Sequence, residues 1–567
     1  MSQPAKEQSE TITGAEAVVE MLKAHGVEMI FGLCGDTSLP FYDALARLPH
    51  GMRHVLTRDE RSAAYMADGY ARVSGKVGVC EGPSGGGATY ILPGLAEANE
   101  SSVPVLAINS DISVASRGRY ALTALDQGAL MRPVTKWNAV LDCASDIPQI
   151  FRTAFKQMTT GRPGAAHIAL PFDVQNGAVD RADVFGDAAF GSYPAERVAP
   201  DPHCVERAAR LLREAARPLF ICGGGAVIAN AEPELLELAE RLSAPVATTI
   251  SGKGAINEEH PLAVGVVGSN GGTPETRTMV DQADLIIFVG CRAGSVTTER
   301  WRHPAPGKVK VIHLDVDAAV MGVNYAAEVA LVSDAKLTLA ALNEALATVQ
   351  RPLEASAVER AQEQKFAKFQ VLAQSGDKPI KPERVVAALS QALDPDALVA
   401  ADAGTPCPYL SAYYQVRGPG RRFFSNRAHG ALGYSLPAAI GAHFARPQVK
   451  CVSVMGDGSF GFTCGELETA VRYRLPITFI VISNATYGWI KAGQKSGYGQ
   501  RYFAVDFDST DHAAVAAAFG VKSWRVTEPE DVGKTLKQAL AHGGPSLVDI
   551  VCQPLHEAKA PVSEWIA

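Results

Sequence analysis

Short runs rich in Val, Ile and Leu recur along the whole chain, and each stops at Gly, Asp, Asn or Ser. VEMIFGLCGD, PVLAINSD, PLFICGGG, DLIIFVGC, KVIHLDVD, ALVAADAG, KCVSVMGDG and ITFIVISN are examples. A run apolar on both faces is what a parallel strand covered by helices requires, and helical patterns separate the runs. The predicted class is therefore α/β, with doubly wound parallel sheets. The first helix is legible in detail: Thr13 and Glu16 form an S/T-x-x-E capping box, Ala15, Val18, Val19 and Leu22 line one face, and Gly26 closes it. The chain has 567 residues, and at roughly 100–200 residues per domain this length gives three or four domains. Stretches near 181–200 and 350–381 are polar or Pro/Gly-rich without a strong period and read as linkers, the second charged and partly helical. Three domains are predicted, at 10–180, 200–345 and 380–567.

Charge and cysteine usage narrow the class of partner. With 53 Lys+Arg against 60 Asp+Glu the net charge is −7, which excludes a general nucleic-acid binder. The ten cysteines are scattered, with no C-x-x-C, and read as reduced thiols of a cytosol. The opening MSQPAKEQSETITG is polar, and no stretch approaches about 18 uninterrupted apolar residues. A cytoplasmic protein with no membrane partner is predicted.

In open parallel sheets, ligands sit beyond the carboxyl ends of the strands. The strongest signal there is CVSVMGDGSFGFTCGELETAVRYRLPITFIVISNATYG, a strand ending at Gly456-Asp457-Gly458-Ser459, a helix, and a strand ending at Ser483-Asn484. Asp457 and Asn484 are 27 residues apart, and a strand-helix-strand unit of that length returns the chain to a neighbouring parallel strand. Both side-chain oxygens then face one crevice. Mg²⁺ takes oxygen ligands and is commonly held by a carboxylate together with phosphate oxygens. Asp457, the Asn484 amide oxygen and the Thr486 carbonyl are thus candidate metal ligands, and Gly458 and Ser459 offer backbone N–H groups to an anion. Gly456, Tyr487 and Gly488 flank this set as candidate cofactor-binding residues. A lone GDG, taken by itself, is a tight turn.

The pattern resembles the diphosphate-binding motif of thiamine diphosphate enzymes, in which GDG is followed, after a helix and a strand, by a paired Asn. The first Asn of that pair is Ser483 here; the second is kept as Asn484. RDERSAAYMADGYARVSGKVG is similar to the family's HEQ-A-x-x-A-DGYAR segment, with Asp59 in place of His. Local sequence alone makes Glu60 a solvated charge at a helix start. The resemblance implies instead that Glu60 hydrogen-bonds the cofactor's pyrimidine ring as the activating carboxyl group, and burial is expected to raise its pKa. It also implies thiamine diphosphate and Mg²⁺ as cofactors, Leu432 of RAHGALGYSLPAA as an apolar wedge, and Asp402, Gly404 and Thr405 of VAADAGTP at the far side of the diphosphate. GPSGGGATYILPGLAEANESSVPVLAI, PVTKWNAVL, GRPGAAHIALPFDV and SGKGAINEEHPLAVGVVG resemble acetolactate synthases, so the likeness covers nearly the whole chain. Parts also resemble benzaldehyde lyase, benzoylformate decarboxylase and oxalyl-CoA decarboxylase.

The resemblance implies carbon–carbon cleavage or ligation on a 2-oxo acid or a 2-hydroxy carbonyl compound, by a homodimer or homotetramer whose cofactor lies between subunits. One rival is an oxalyl-CoA decarboxylase or 2-hydroxyacyl-CoA lyase, taking an acyl-CoA. Another is a catalytically silent nucleotide-binding relative, against which the retention of Glu60 with Asp457 and Asn484 argues. Asp36 and Gln127 are candidate catalytic residues on the substrate side, with Thr37, Ser84, Asp126, His429 and Trp489 nearby in the pattern. Asp36 serves equally well as a turn cap. In the middle domain, LFICGGGAVIANAE could cradle a nucleotide pyrophosphate but lacks the G-x-G-x-x-G spacing, and helix–strand packing explains it as well. Relatives hold FAD or ADP there, or nothing. Gly290-Cys291-Arg292-Ala293-Gly294-Ser295 stands where FAD-binding members carry a GARFDDR-like stretch, which counts against FAD.

Overall fold

The computed structural model describes residues 10–565, so most of the polar opening read for targeting lies outside the described residues. It divides into two compact units, one ending at Glu196 and one beginning at Arg197. In the first, Thr11–Thr13 pairs antiparallel with Ala178–Asp180. The capping box then opens the helix Gly14–Ala24: Glu16 N donates to Thr13 Oγ1 (3.2 Å) and Thr13 N to the Glu16 carboxylate (2.8 Å). Gly26, at φ +73°, ends it in the left-handed region that glycine adopts freely.

Three six-stranded sheets follow, each with every pairing parallel. The first unit orders its sheet Arg53–Leu56, Met29–Gly32, Gly78–Gly82, Val105–Asp111, Ala166–Pro171, Trp137–Val140. The last sheet has the same arrangement: Phe423–Ser425, Leu398–Ala401, Cys451–Gly456, Ile477–Ser483, Ser546–Val551, Lys522–Val526. Between them in sequence lies a sheet ordered Ala263–Val266, Val246–Thr248, Pro218–Cys222, Leu285–Val289, Lys310–Asp315, Val329–Val332, the order of dinucleotide-binding domains. Every residue of Val105–Asp111 and of Ile477–Ser483 is buried, which is why these runs carry apolar residues on both faces.

The stretch 350–381, read as a linker that is partly helical, holds an 18-residue helix, Ser356–Ala373, and what the reading did not give is its packing: Val358, Lys365, Phe369 and Ala373 are buried. Gln362 Nε2 donates to the carbonyls of Ala263 (3.0 Å) and Val264 (2.6 Å). The inward face mixes Gln and Lys with apolar residues, so its apolar stripe is hidden although the stems pack. In the middle domain, a Cβ on Gly223 would lie 2.1 Å from Gly290 O, and one on Gly225 would lie 2.7 Å from Gly290 Cα. Close passage of two backbone turns thus accounts for these glycines.

Candidate active site

In the last sheet, Cys451–Gly456 pairs with Ile477–Ser483, and Gly456 stands opposite Ile482. The two strand ends bring Asp457 and Asn484 together, as their spacing predicts. Asp457 Oδ2 accepts from Asn484 N and Ala485 N, both at 2.6 Å, and its Oδ1 accepts from Gly458 N at 2.9 Å. Burial raises the Asp457 carboxyl pKa, and the three N–H donors oppose that rise. The Gly458 N–H, expected to face an anion, is thus turned onto Asp457.

The Asn484 side chain is the informative one. Its Nδ2 donates to Thr405 Oγ1 at 3.5 Å, while its Oδ1 is buried without a hydrogen-bond partner. An orphaned amide oxygen beside a buried carboxylate is costly unless something else binds it. Thr486 directs its hydroxyl to Val505 O, and its carbonyl accepts from Gly488 N, both at 2.8 Å, leaving that oxygen a second lone pair. A carboxylate, an amide oxygen and a carbonyl make a hard-oxygen set that suits Mg²⁺. Ala485, between the candidate ligands Asn484 and Thr486, is held at φ +53°, the kind of strain that a well-determined functional turn retains. A Cβ on Gly458 would stand 2.8 Å from the Tyr487 ring, whereas Gly404 (φ +92°) and Gly456 face open space. Leu432 is half-buried in the segment leading into the helix Ser435–Ala445.

Asp402, which the resemblance placed in the strand-turn on the far side of the diphosphate, serves within the protein as a buried junction. It is fully buried and accepts from Ser435 N (3.2 Å), Ser435 Oγ (3.4 Å) and Ala403 N (3.1 Å). Burial pushes its carboxyl pKa up to about 7, with the Ser459 hydroxyl among the groups holding it down. It thereby ties together the turn after Leu398–Ala401, the start of a helix and the GDGS segment. The sequence placed it in the turn two residues before Gly404 but carried no sign of its burial or of these partners.

In the first unit, Glu60 opens the helix Glu60–Ser74, but the cap is its neighbour. Asp59 accepts from Arg61 N at 2.7 Å and pairs with the Arg61 guanidinium at 3.0 Å. Glu60 itself is only 7% exposed, so the solvated-charge reading fails. Desolvation raises its carboxyl pKa, and the Asp59 charge pushes the same way. A Cβ on Gly82 would come within 3.1 Å of Glu60 Cγ, and one on Gly87 within 3.2 Å of its Oε1.

The substrate-side candidates separate into two groups. Thr37 Oγ1 lies 3.1 Å from Ser84 Oγ and 2.8 Å from Ser110 Oγ, and Ser84 Oγ lies 2.7 Å from Thr123 Oγ1, a row of four hydroxyls across strand ends. Buried Gln127 donates to Ser110 O at 2.9 Å and keeps its Oε1 unpartnered. The others act locally. Exposed Asp36 accepts from Thr37 N, and Asp126 caps the helix Gln127–Met131. His429 is exposed, and Trp489 packs edge-on against Trp565, with centroids 5.1 Å apart.

Residues 402–550 match the thiamine pyrophosphate enzyme C-terminal TPP binding domain, 205–342 the central domain and 12–130 the N-terminal TPP binding domain. The chain is 38% identical to a probable acetolactate synthase large subunit of Methanocaldococcus jannaschii over 95% of this chain and 92% of that one. The chain belongs to the thiamine pyrophosphate enzyme family. It is 34% identical to an acetolactate synthase of Arthrospira platensis, over 97% of this chain and 95% of that protein. Against the acetolactate synthase isozyme 3 large subunit of Escherichia coli the identity is 32%, covering 94% and 92%. As a thiamine pyrophosphate enzyme it has two cofactor-binding domains. The C-terminal one contains Asp457 and Asn484, and the N-terminal one contains Glu60.

Proposed function

We propose that this enzyme joins 2-oxo acids in a thiamine diphosphate- and Mg²⁺-dependent carboligation, as a cytoplasmic homo-oligomer. The observation that carries the reading is the orphaned Asn484 oxygen held beside Asp457, in a chain aligned nearly end to end with acetolactate synthases. Asp457, Asn484 Oδ1 and Thr486 O are assigned to Mg²⁺. Gly404, Thr405, Gly456, Ser459, Tyr487 and Gly488 are assigned to the diphosphate and Leu432 to the wedge, while the Gly458 N–H holds Asp457 beside that site. Bound thiamine diphosphate supplies a nucleophilic carbon and an electron sink. Glu60, desolvated, keeps its carboxyl proton to higher pH than a surface glutamate and can pass it to a ring nitrogen. The Thr37–Ser84–Thr123 hydroxyls and the free Gln127 Oε1 offer donors and an acceptor to a 2-oxo acid, with Asp36 exposed in the turn beside Thr37.

The acyl-CoA readings yield because the relatives described above all carry acetolactate synthase names. Purified protein should be incubated with thiamine diphosphate, Mg²⁺ and pairs of 2-oxo acids including pyruvate, with oxalyl-CoA in parallel, and the products identified by mass spectrometry. The expected result is one CO₂ lost per coupled 2-hydroxy-3-oxo acid formed. Turnover of oxalyl-CoA with no coupled product from any 2-oxo acid would overturn the proposal.

A further inference from the structure

Behind the Asp457–Asn484 pair lies a buried polar cluster that the proposed chemistry does not use. Ser483 ends its strand directly before Asn484, at the position where the motif's first Asn is missing. Its hydroxyl donates to Asp549 Oδ1, so the lone pair left on Oγ accepts from His512 Nδ1, 3.0 Å away. Asp549 is fully buried, and its Oδ2 accepts from His512 N (3.1 Å) and Arg525 Nη1 (3.0 Å). Arg525 also holds Thr510 O at 2.8 Å, fixing the segment that leads to His512. On its other side the His512 ring meets Phe460 edge-on, with centroids 5.2 Å apart at 82°. Phe460 belongs to the short helix Asp457–Thr463, so one imidazole touches the segments carrying Asp457 and Asn484. This is no hydrolytic triad: the imidazole would have to stand between hydroxyl and carboxylate, whereas Ser483 donates straight to Asp549.

We propose that Ser483, His512 and Asp549 are positioning residues that set the spacing of Asp457 and Asn484 around Mg²⁺, with His512 filling the role that a longer side chain at 483 would take. The inference rests on the cofactor reading above. Outer residues that fix the orientation of metal ligands commonly matter about 10–100-fold in affinity.

The test measures thiamine diphosphate binding by the full-length, cofactor-free protein as a function of Mg²⁺, by calorimetry, together with its melting midpoint. His512→Phe keeps the contact with Phe460 and loses the hydrogen bond. It should weaken Mg²⁺-dependent binding about tenfold or more while the midpoint stays within about 2 °C. His512→Asn, which can return a donor near the Nδ1 position, should recover most of the loss. Ser483→Ala leaves the ring in place and should weaken binding comparably, and the double variant should be no weaker than the worse single one. Unchanged binding in His512→Phe, equal losses in His512→Phe and His512→Asn, or additive losses in the double variant would each overturn the proposal. Absence of any binding by the unaltered protein would sink the cofactor reading itself, and this inference with it.

Discussion

Two buried carboxyl groups in the first unit lie on one strand-end region and call for different tests. Glu60 is assigned an acid role, so Glu60→Gln should leave the fold and Mg²⁺-dependent diphosphate binding intact. Turnover should fall by about 10²–10⁴, the range of a lost acid–base group, as read in a steady-state assay at saturating cofactor. Glu81, on the strand Gly78–Gly82, is nearly inaccessible. Tyr42 OH donates to its Oε2 at 2.6 Å, and its Oε1 has no partner. Desolvation pushes its carboxyl pKa up to about 8; the Tyr42 and Ser38 hydroxyls oppose the shift and the Glu60 charge adds to it. Tyr42 also contacts His54 Nε2 at 3.0 Å, and burial pushes that imidazole down to about 4, so it is neutral near pH 7. The folded pKa of Glu81 exceeds the ordinary 4.5 of an unfolded chain, so the native state binds the extra proton between these values. Stability contributed by the protonated acid is therefore full below about 4.5 and is lost as pH rises through about 8. Melting midpoints recorded from pH 6 to pH 9 should fall in the wild type and fall by several degrees less in Glu81→Gln. Equal slopes would show that Glu81 does not titrate in this window.

At the scale of elements, the helix Glu60–Ser74 presents its first residue because its cap is supplied one position earlier. Asp59→Ala removes the side chain that accepts from Arg61 N and should cost about 1 kcal/mol locally. Amides of the first turn should then exchange with deuterium roughly fivefold faster, while Asp59→Asn, which keeps an acceptor, should not change them. The Gly456-Asp457 and Ser483-Asn484 endings were legible because the length of a crossover and the two-sided apolarity of the strands are both written locally. So was the helix opened by Thr13. The helical character of Ser356–Ala373 was legible but its packed face was not, since Gln362 and Lys365 face inward and break the apolar stripe that marks a buried helix face. Asp36 and Asp126 show why carboxylates in turns are ambiguous in sequence: their hydrogen bonds are to their own turns, an arrangement that a capping residue and a candidate catalytic residue share. The burial of Asp402 against Ser435 and Ser459, and His512 altogether, escaped because such contacts exist only once distant segments have packed.

At the scale of the whole molecule, the first and last sheets share a strand order and place their candidate residues after equivalent strands. Asp36 follows the first strand of one and Asp402 the first strand of the other; Ser84 and Asp457 follow the third. The middle domain, of different strand order, carries a buried ion pair whose hydrogen bonds reach the backbone of the last one. Lys253 Nζ donates to both Glu258 carboxylate oxygens (2.8 and 2.7 Å) and to the carbonyls of Tyr414 (2.8 Å) and Ser411 (3.3 Å), while Glu258 Oε2 accepts from Val416 N at 2.6 Å. Lys253 is 1% exposed and Glu258 6%, so neither can turn to water if its partner is removed. Removing one member of such a pair costs about 3–5 kcal/mol because the other charge stays buried, whereas replacing both with apolar groups of similar volume is often neutral or stabilising. Lys253→Met and Glu258→Leu should therefore each lower the melting midpoint of the second unit. The double variant should recover part of the loss, though not all, because the carbonyls of Ser411 and Tyr414 and the Val416 N–H would lose their partners. A double variant as unstable as the sum of the singles would mean that the pair holds the two domains through its separate backbone contacts and that the charges do not depend on each other.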